Sequence, residues 1–150
     1  MLYGIDRVMA VLVDDDPNDR DLFKDAFSSL RVKSTLALLK DGEEALEFFS
    51  TAAELPHILF LDLNMPRVGG MEVLKVLRSD PKFSSLPIAI YSTSNAESHI
   101  ESSLSFGANL CIVKTNSFEK LKSAIESALK IQWRYATSAF DIANYVMVIN

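Results

Sequence analysis

Five short apolar runs punctuate the chain, at 8–13, 35–39, 57–62, 86–91 and 110–113. Between them the apolar residues change to helical spacing. Leu22, Phe23, Ala26, Phe27 and Leu30 share one face, as do Ala45, Leu46, Phe48 and Phe49. Met71, Val73, Leu74 and Leu77 form a third stripe, and Phe118, Leu121, Ile125, Ala128 and Leu129 a fourth. A shorter helix is expected around His99, among Ser and Glu. Short, wholly apolar strands alternating with amphipathic helices predict a parallel sheet covered on both faces. The connections are short, as α/β units prefer, and no repeat, linker or low-complexity tract interrupts them.

In an open parallel sheet, ligands sit beyond the carboxyl ends of the strands. The first run delivers Asp14, Asp15 and Asp16 there, and the third delivers Asp62 within FLDLNMP. The fourth delivers Ser92 and Thr93 within IYSTSN, and the fifth delivers Lys114 within CIVKTN. Carboxylates crowded together oppose each other's ionisation, so protons or a cation must relieve them. Two readings stay open for the aspartate triplet: a solvated turn with a helix N-cap, or ligands for a metal. Asp62 taken alone also admits a turn-capping role. Taken with Asp14 and Asp15 it makes an oxygen-rich Mg²⁺ site the simpler explanation. Lys114 is then placed to neutralise an incoming phosphoryl group, with the Ser92 hydroxyl as a further donor. Phosphoryl transfer asks for such positioning and charge neutralisation, around a carboxylate nucleophile.

Composition narrows the function classes. At 150 residues and 49% apolar, the chain is expected to be one soluble domain with a full core. No apolar run approaches the ~20 residues a membrane span needs, and MLYGIDRVMA does not read as a secretory leader, so no membrane association is expected. The single cysteine, Cys111, excludes an internal disulfide framework, and no Cys/His spacing suggests zinc. A cytoplasmic location is expected. The net charge of −5 is unevenly spread: residues 1–75 carry −6 and residues 76–150 carry +1. No basic stripe or aromatic–basic interleaving is present, so direct nucleic-acid binding is not expected.

The segments VLVDDDP, FLDLNMPRVGG, IYSTS and GANLCIVK, in that order, resemble a response-regulator receiver domain of two-component signalling, similar to the chemotaxis regulator. DDDPNDR and the long tail resemble the single-domain regulators associated with phytochromes. The resemblance implies a flavodoxin-like, doubly wound (βα)₅ three-layer sandwich whose five parallel strands run in the order 2-1-3-4-5. It implies a receiver over residues 1–135 and a C-terminal extension over 136–150. It makes Asp62 the phosphoacceptor, supplied by a sensor histidine kinase. Asp15 would bind Mg²⁺ directly, Asp14 mainly through water, and Asn64 through its backbone carbonyl. Ser92 would be the switch hydroxyl and Lys114 the phosphate-pairing lysine, with Asp16, Thr93, Ser94 and Cys111 as modulators. The implied output is contact with an unidentified downstream protein through helix four, strand five and helix five. The protein would catalyse only its own phosphorylation and dephosphorylation.

Two positions depart from the family pattern. Thr115 follows the lysine where the family has a cis proline, and a trans bond is the expectation for a non-proline residue. Cys111 stands where the family has an aromatic switch residue, and reads as a small buried hydrophobe. His57 is expected as a partly exposed strand end, His99 as solvated, and Trp133 as packing on the last helix. Phe27, Phe48 and Phe49 read as core. A haloacid-dehalogenase-type phosphatase is a rival, but Asn64 stands where that class has a second Asp. A degenerate receiver acting as a protein-binding module is another; a flavin or nucleotide domain lacks its glycine-rich phosphate loop. Residues 138–150, SAFDIANYVMVIN, are too apolar to float free. The spacing of Ile142, Tyr145, Val146 and Ile149, with Ser138 and Asp141 as a capping box, favours a helix, while the β-branched content of 146–149 pulls towards strand. In either form its apolar face must be covered by its own domain or by a second subunit, and a homodimer with the tail at the interface is the favoured expectation.

Overall fold

The computed structural model describes residues 7–93, residues 97–130 and the strand pairing of 146–147. The elements alternate as β1 (Val8–Val13), α1 (Pro17–Ser28), β2 (Ser34–Leu39), α2 (Gly42–Thr51), β3 (Ile58–Leu61) and α3 (Gly70–Ser79). A 3₁₀ turn (Pro81–Phe83) leads to β4 (Ile88–Ser92), α4 (Glu97–Ser105), β5 (Leu110–Val113), α5 (Phe118–Lys130) and β6 (Val146–Met147). All strands pair in parallel, in the order β2-β1-β3-β4-β5-β6. The five expected strands therefore take the expected order, 2-1-3-4-5.

Strand periodicity divides the core between the two faces of the sheet. Leu12, Phe60, Tyr91 and Ile112 point into one cluster, where Phe23 of α1 and Leu121 and Ile125 of α5 cover them. Val13, Leu59, Ile90 and Cys111 point into the other, under Phe49 of α2, Leu74 of α3 and Leu104 of α4. Phe27 and Phe49 are core as expected, and Phe48 packs half-buried against it.

Several boundaries differ from the pattern reading. β4 begins at Ile88 rather than 86, because Pro87 has no N–H and the Leu86 carbonyl is already bonded to Arg78 Nη2 at 2.7 Å. His57 lies outside β3, but its N–H donates to the Met9 carbonyl and its Nδ1 accepts the Met9 N–H at 2.8 Å. It is exposed, as expected, yet it closes the ladder at that end. The tail departs most. Val146 and Met147 form strand, paired with Cys111 and Ile112, where the helical spacing predicts helix. The open edge of β5 offers unpaired N–H and C=O groups, and the β-branched run 146–149 suits strand. The rest of the expected tail helix, including Ser138, Asp141, Ile142, Tyr145 and Ile149, lies outside the described residues, as do Trp133 and Ser94. Among the described residues, no helix is long and apolar enough to cross a membrane.

Arg78, at the end of α3, ties the far side of the sheet together. Its Nε donates to the Gly107 carbonyl (2.8 Å), Nη1 to Phe83 (2.7 Å), and Nη2 to Leu86 (2.7 Å) and Asn109 Oδ1 (2.9 Å). Gly107, at φ +108°, ends α4 in a left-handed cap and leaves room for that guanidinium. A lysine ammonium cannot reach four acceptors spread over a planar fork. Arg78→Lys should therefore cost about 2–4 kcal/mol in urea unfolding. A loss under about 0.5 kcal/mol would show that the fork is not needed.

Candidate functional site

The strand registers put the site together. Val13 pairs with Leu61, Leu61 with Ile90, and Ser92 with Val113, so the residues that follow emerge side by side at one rim. Asp14 and Asp62 are 0% and 3% exposed, and Ser92 is equally buried. Asp15 beside them is exposed. Asp16 turns the other way: its Oδ1 accepts the Asn18 N–H at 2.8 Å and the Asp19 N–H at 3.4 Å, and Pro17 opens α1 behind it. The turn-and-cap reading of the triplet holds for Asp16. Asp16 is the helix cap, while Asp14 and Asp15 face the pocket.

The β3–α3 connection folds tightly beneath Asp62. A Cβ on Gly70 would collide with the Asp62 carbonyl oxygen, so only glycine lets α3 start there, and the Gly70 N–H closes the loop onto Leu63 (3.1 Å). The Asn64 N–H donates to Asp62 Oδ1 at 3.2 Å, and its side-chain amide donates to Ser92 Oγ at 3.1 Å. Arg20 Nη1 donates to the Asp14 carbonyl at 2.8 Å and holds the β1–α1 connection.

Lys114 stands at the centre. Its side chain is 8% exposed, and Nζ lies 2.8 Å from Asp14 Oδ2, 2.9 Å from Asp19 Oδ2 and 3.4 Å from Asp62 Oδ2. The Asp19 and Asp62 contacts are aligned hydrogen bonds. The Asp14 contact is an ion pair without that alignment, and Asp14 Oδ2 has no hydrogen-bond donor. Nζ also lies 5.3 Å from the centre of the Tyr91 ring, whose buried hydroxyl is likewise without a partner. No cis peptide occurs among the described residues, so Lys114–Thr115 is trans as expected.

Burial pushes the Asp62 carboxyl up to about 7, against the pull of Lys114 and with the help of Asp14. Burial likewise raises Asp14. The acids win over desolvation at Lys114 and hold its ammonium well above the usual lysine range. One ammonium thus serves three carboxylates. Oxygens of Asp14, Asp15 and Asp62 lie within 4.8 Å of one another, and their hardness and number suit a cation such as Mg²⁺. The donor-less Asp14 Oδ2 fits the same role.

Thr93 is exposed at the end of β4. Cys111 is buried under α4, with Sγ 3.2 Å from Ser103 Oγ, and burial pushes its thiol up. A small cavity between the sheet and α4 is lined by Ser92, Ile100, Ser103, Cys111 and Val113. Pattern reading missed Asp19, Arg20, the Asn64 amide and Ser103. Asp19 had a signal: it falls in the first turn of a helix that begins at the rim.

Residues 10–126 match the family model of the response regulator receiver domain. The chemotaxis protein CheY1 of Helicobacter pylori is 31% identical over 119 residues, covering 79% of this chain and 94% of its own. The probable methanogenesis regulatory protein FilR2 of Methanothrix harundinacea is 29% identical over 137 residues, 89% of this chain and 88% of its own. Among solved structures, the phosphorylated cyanobacterial phytochrome response regulator RcpA superposes with a TM-score of 0.76 at 28% identity, over 89% of this chain and 97% of that one. With its sheet order, its acidic rim and more than two thirds of its length matched, the chain belongs to the receiver-domain family of response regulators.

Proposed function

We propose that this receiver accepts a phosphoryl group on Asp62 from the phosphohistidine of a sensor histidine kinase, and signals by conformational change. One observation carries the reading: a buried carboxylate at a strand end, with an ammonium and two further carboxylates gathered beside it. A carboxylate oxygen of Asp62 attacks phosphorus, the P–N bond to the histidine breaks, and an acyl phosphate forms. Asp14, Asp15, Asp62 and the Asn64 backbone carbonyl would hold Mg²⁺. The ion, when bound, offsets the negative charge of the phosphoryl oxygens. Lys114 moves from its carboxylate partners to a phosphoryl oxygen, and Ser92 exchanges its bond from Asn64 for one donated to the phosphoryl group. That the related RcpA is described in a phosphorylated form supports the acceptor role.

Output follows from those exchanges. Ser92 lines the cavity beneath α4, so its movement alters what α4 rests on. Cys111 cannot swing a ring into that space, so Ser92 and α4 carry the change. A downstream protein meets a face where β6 already covers the edge of β5. Residues 136–150 act as an extension of the receiver over 1–135, and the β6 pairing supports docking on its own domain. A homodimer with the tail at its interface remains compatible with that pairing. The protein works in the cytoplasm.

Three outcomes test this reading. Asp62→Asn should take up no phosphoryl group from acetyl phosphate and Mg²⁺ by intact mass, and the parent should take up none in excess chelator. Full labelling in either case would overturn the acceptor or the metal. Asp62→Asn should also stabilise the metal-free fold at pH 7 by about 1–3 kcal/mol. Unfolded, Asp62 ionises near 3.8, but folded only near 7, so its contribution falls as pH rises through that window. The parent should lose stability from pH 4 to 7 more steeply than the variant, measured by urea unfolding without metal. Parallel curves would contradict the burial argument. Lys114→Ala should still label but lose most of the difference in hydrogen exchange that phosphorylation produces at α4. An unchanged difference would remove Lys114 from the coupling.

A further inference from the structure

The acceptor reading leaves one carboxylate without a role. Asp19 is neither among the three acids grouped for a cation nor at the acceptor position. Yet it makes the shortest aligned hydrogen bond to Lys114, 2.9 Å against 3.4 Å for Asp62. We infer that Asp19 is a positioning residue that parks the Lys114 ammonium on the opening turn of α1, and gives it up when Asp62 is phosphorylated. This inference rests on the acceptor reading.

Exposure decides which partner can be given up. Asp14, at 0% exposure, cannot lose a counter-charge without stranding a buried carboxylate. The Asp19 side chain is 29% exposed, so water replaces the ammonium there at small cost. Asp19 also belongs to a different element from the acceptor, and its own N–H is held by the Asp16 cap. The Tyr91 ring lies under the ammonium as a fixed apolar floor. The ammonium is thus shared between two anchored carboxylates and a third, wetter one.

Two consequences have opposite signs. While parked, Lys114 holds Asp62 only loosely, at 3.4 Å, which leaves that carboxylate more open to a cation. Parking also means that Lys114 must leave an anionic partner before it can meet a phosphoryl group. Asp19→Asn keeps the shape and removes the charge. It should weaken Mg²⁺ binding in calorimetry by about three- to ten-fold, the range of a charged hydrogen bond reduced by solvent. It should also raise the rate of labelling by acetyl phosphate at saturating Mg²⁺ by about two- to five-fold, given the same bond. A purely structural role would lower both.

Lys114→Met, alone and combined with Asp19→Asn, completes a double-mutant cycle in the full chain. With Lys114 absent, Asp19→Asn should no longer raise the labelling rate, and its effect on Mg²⁺ should shrink to what a distant charge exerts. A rate at or below that of the parent in Asp19→Asn, or the same rise without Lys114, overturns the inference while the acceptor reading stands. A parent chain that takes up no phosphoryl group overturns the acceptor reading and the release step together.

Discussion

Two carboxylates, Asp14 and Asp62, are buried at the carboxyl edge of an apolar sheet, and one ammonium holds them there. Burial raises both acids, and Lys114 answers only part of the charge. The arrangement is under electrostatic tension by construction. An isolated buried carboxylate would protonate. An apolar pair in its place would make a more stable sheet edge but could not hold a cation. The cluster persists because everything around it is rigid. β1 and β3 are central strands packed on both faces, and the connections that follow them are held by Arg20, by the Asp16 cap and by the contact at Gly70.

That rigidity is unequal around the rim. On the acidic side, Asp14 and Asp62 leave strands whose backbones stay locked, with the Asp14 N–H on Leu39 and the Asp62 N–H on Val13. On the other side, Ser92 lies over a cavity beside α4, whose tie to the sheet there is the soft contact between Ser103 and Cys111. A change at Asp62 has little to move on one side and something to move on the other. Cys111 matters for what it leaves room for. A large aromatic at that position would fill space that a thiol leaves to Ser92 and to the packing of α4.

The strands, their parallel pairing and the rim residues were legible in the sequence because each rests on local rules. A wholly apolar run ending in Asp, Ser or Lys identifies both a buried strand and the polar group at its tip. Bonds between distant elements were not legible. Nothing in the pattern joins Arg78 to Gly107 and Asn109, or Asn64 to Ser92, since those contacts exist only once α3, β4 and β5 have taken their places. The tail failed for a different reason. Helical spacing at 142–149 competed with β-branched residues, and a preference that local pattern leaves balanced is decided by the partner on offer. The free edge of β5 was that partner.

Asp19 shows how a site outgrows the motif that identifies it. Motif residues are recognised because the chemistry leaves no alternative to them: a nucleophilic carboxylate, ligand carboxylates, a cation. The residue that sets how readily the cation is available needs only a charge within reach, and any turn that passes the rim can supply it. Here the opening turn of α1 does so, because Asp16 caps the helix at the rim and thereby brings Asp19 over Lys114. The cap that orders the helix and the contact that holds the lysine are three residues apart on one turn. Local helix chemistry and the electrostatics of the site are therefore set by the same short stretch of chain, and a change in either is felt by the other.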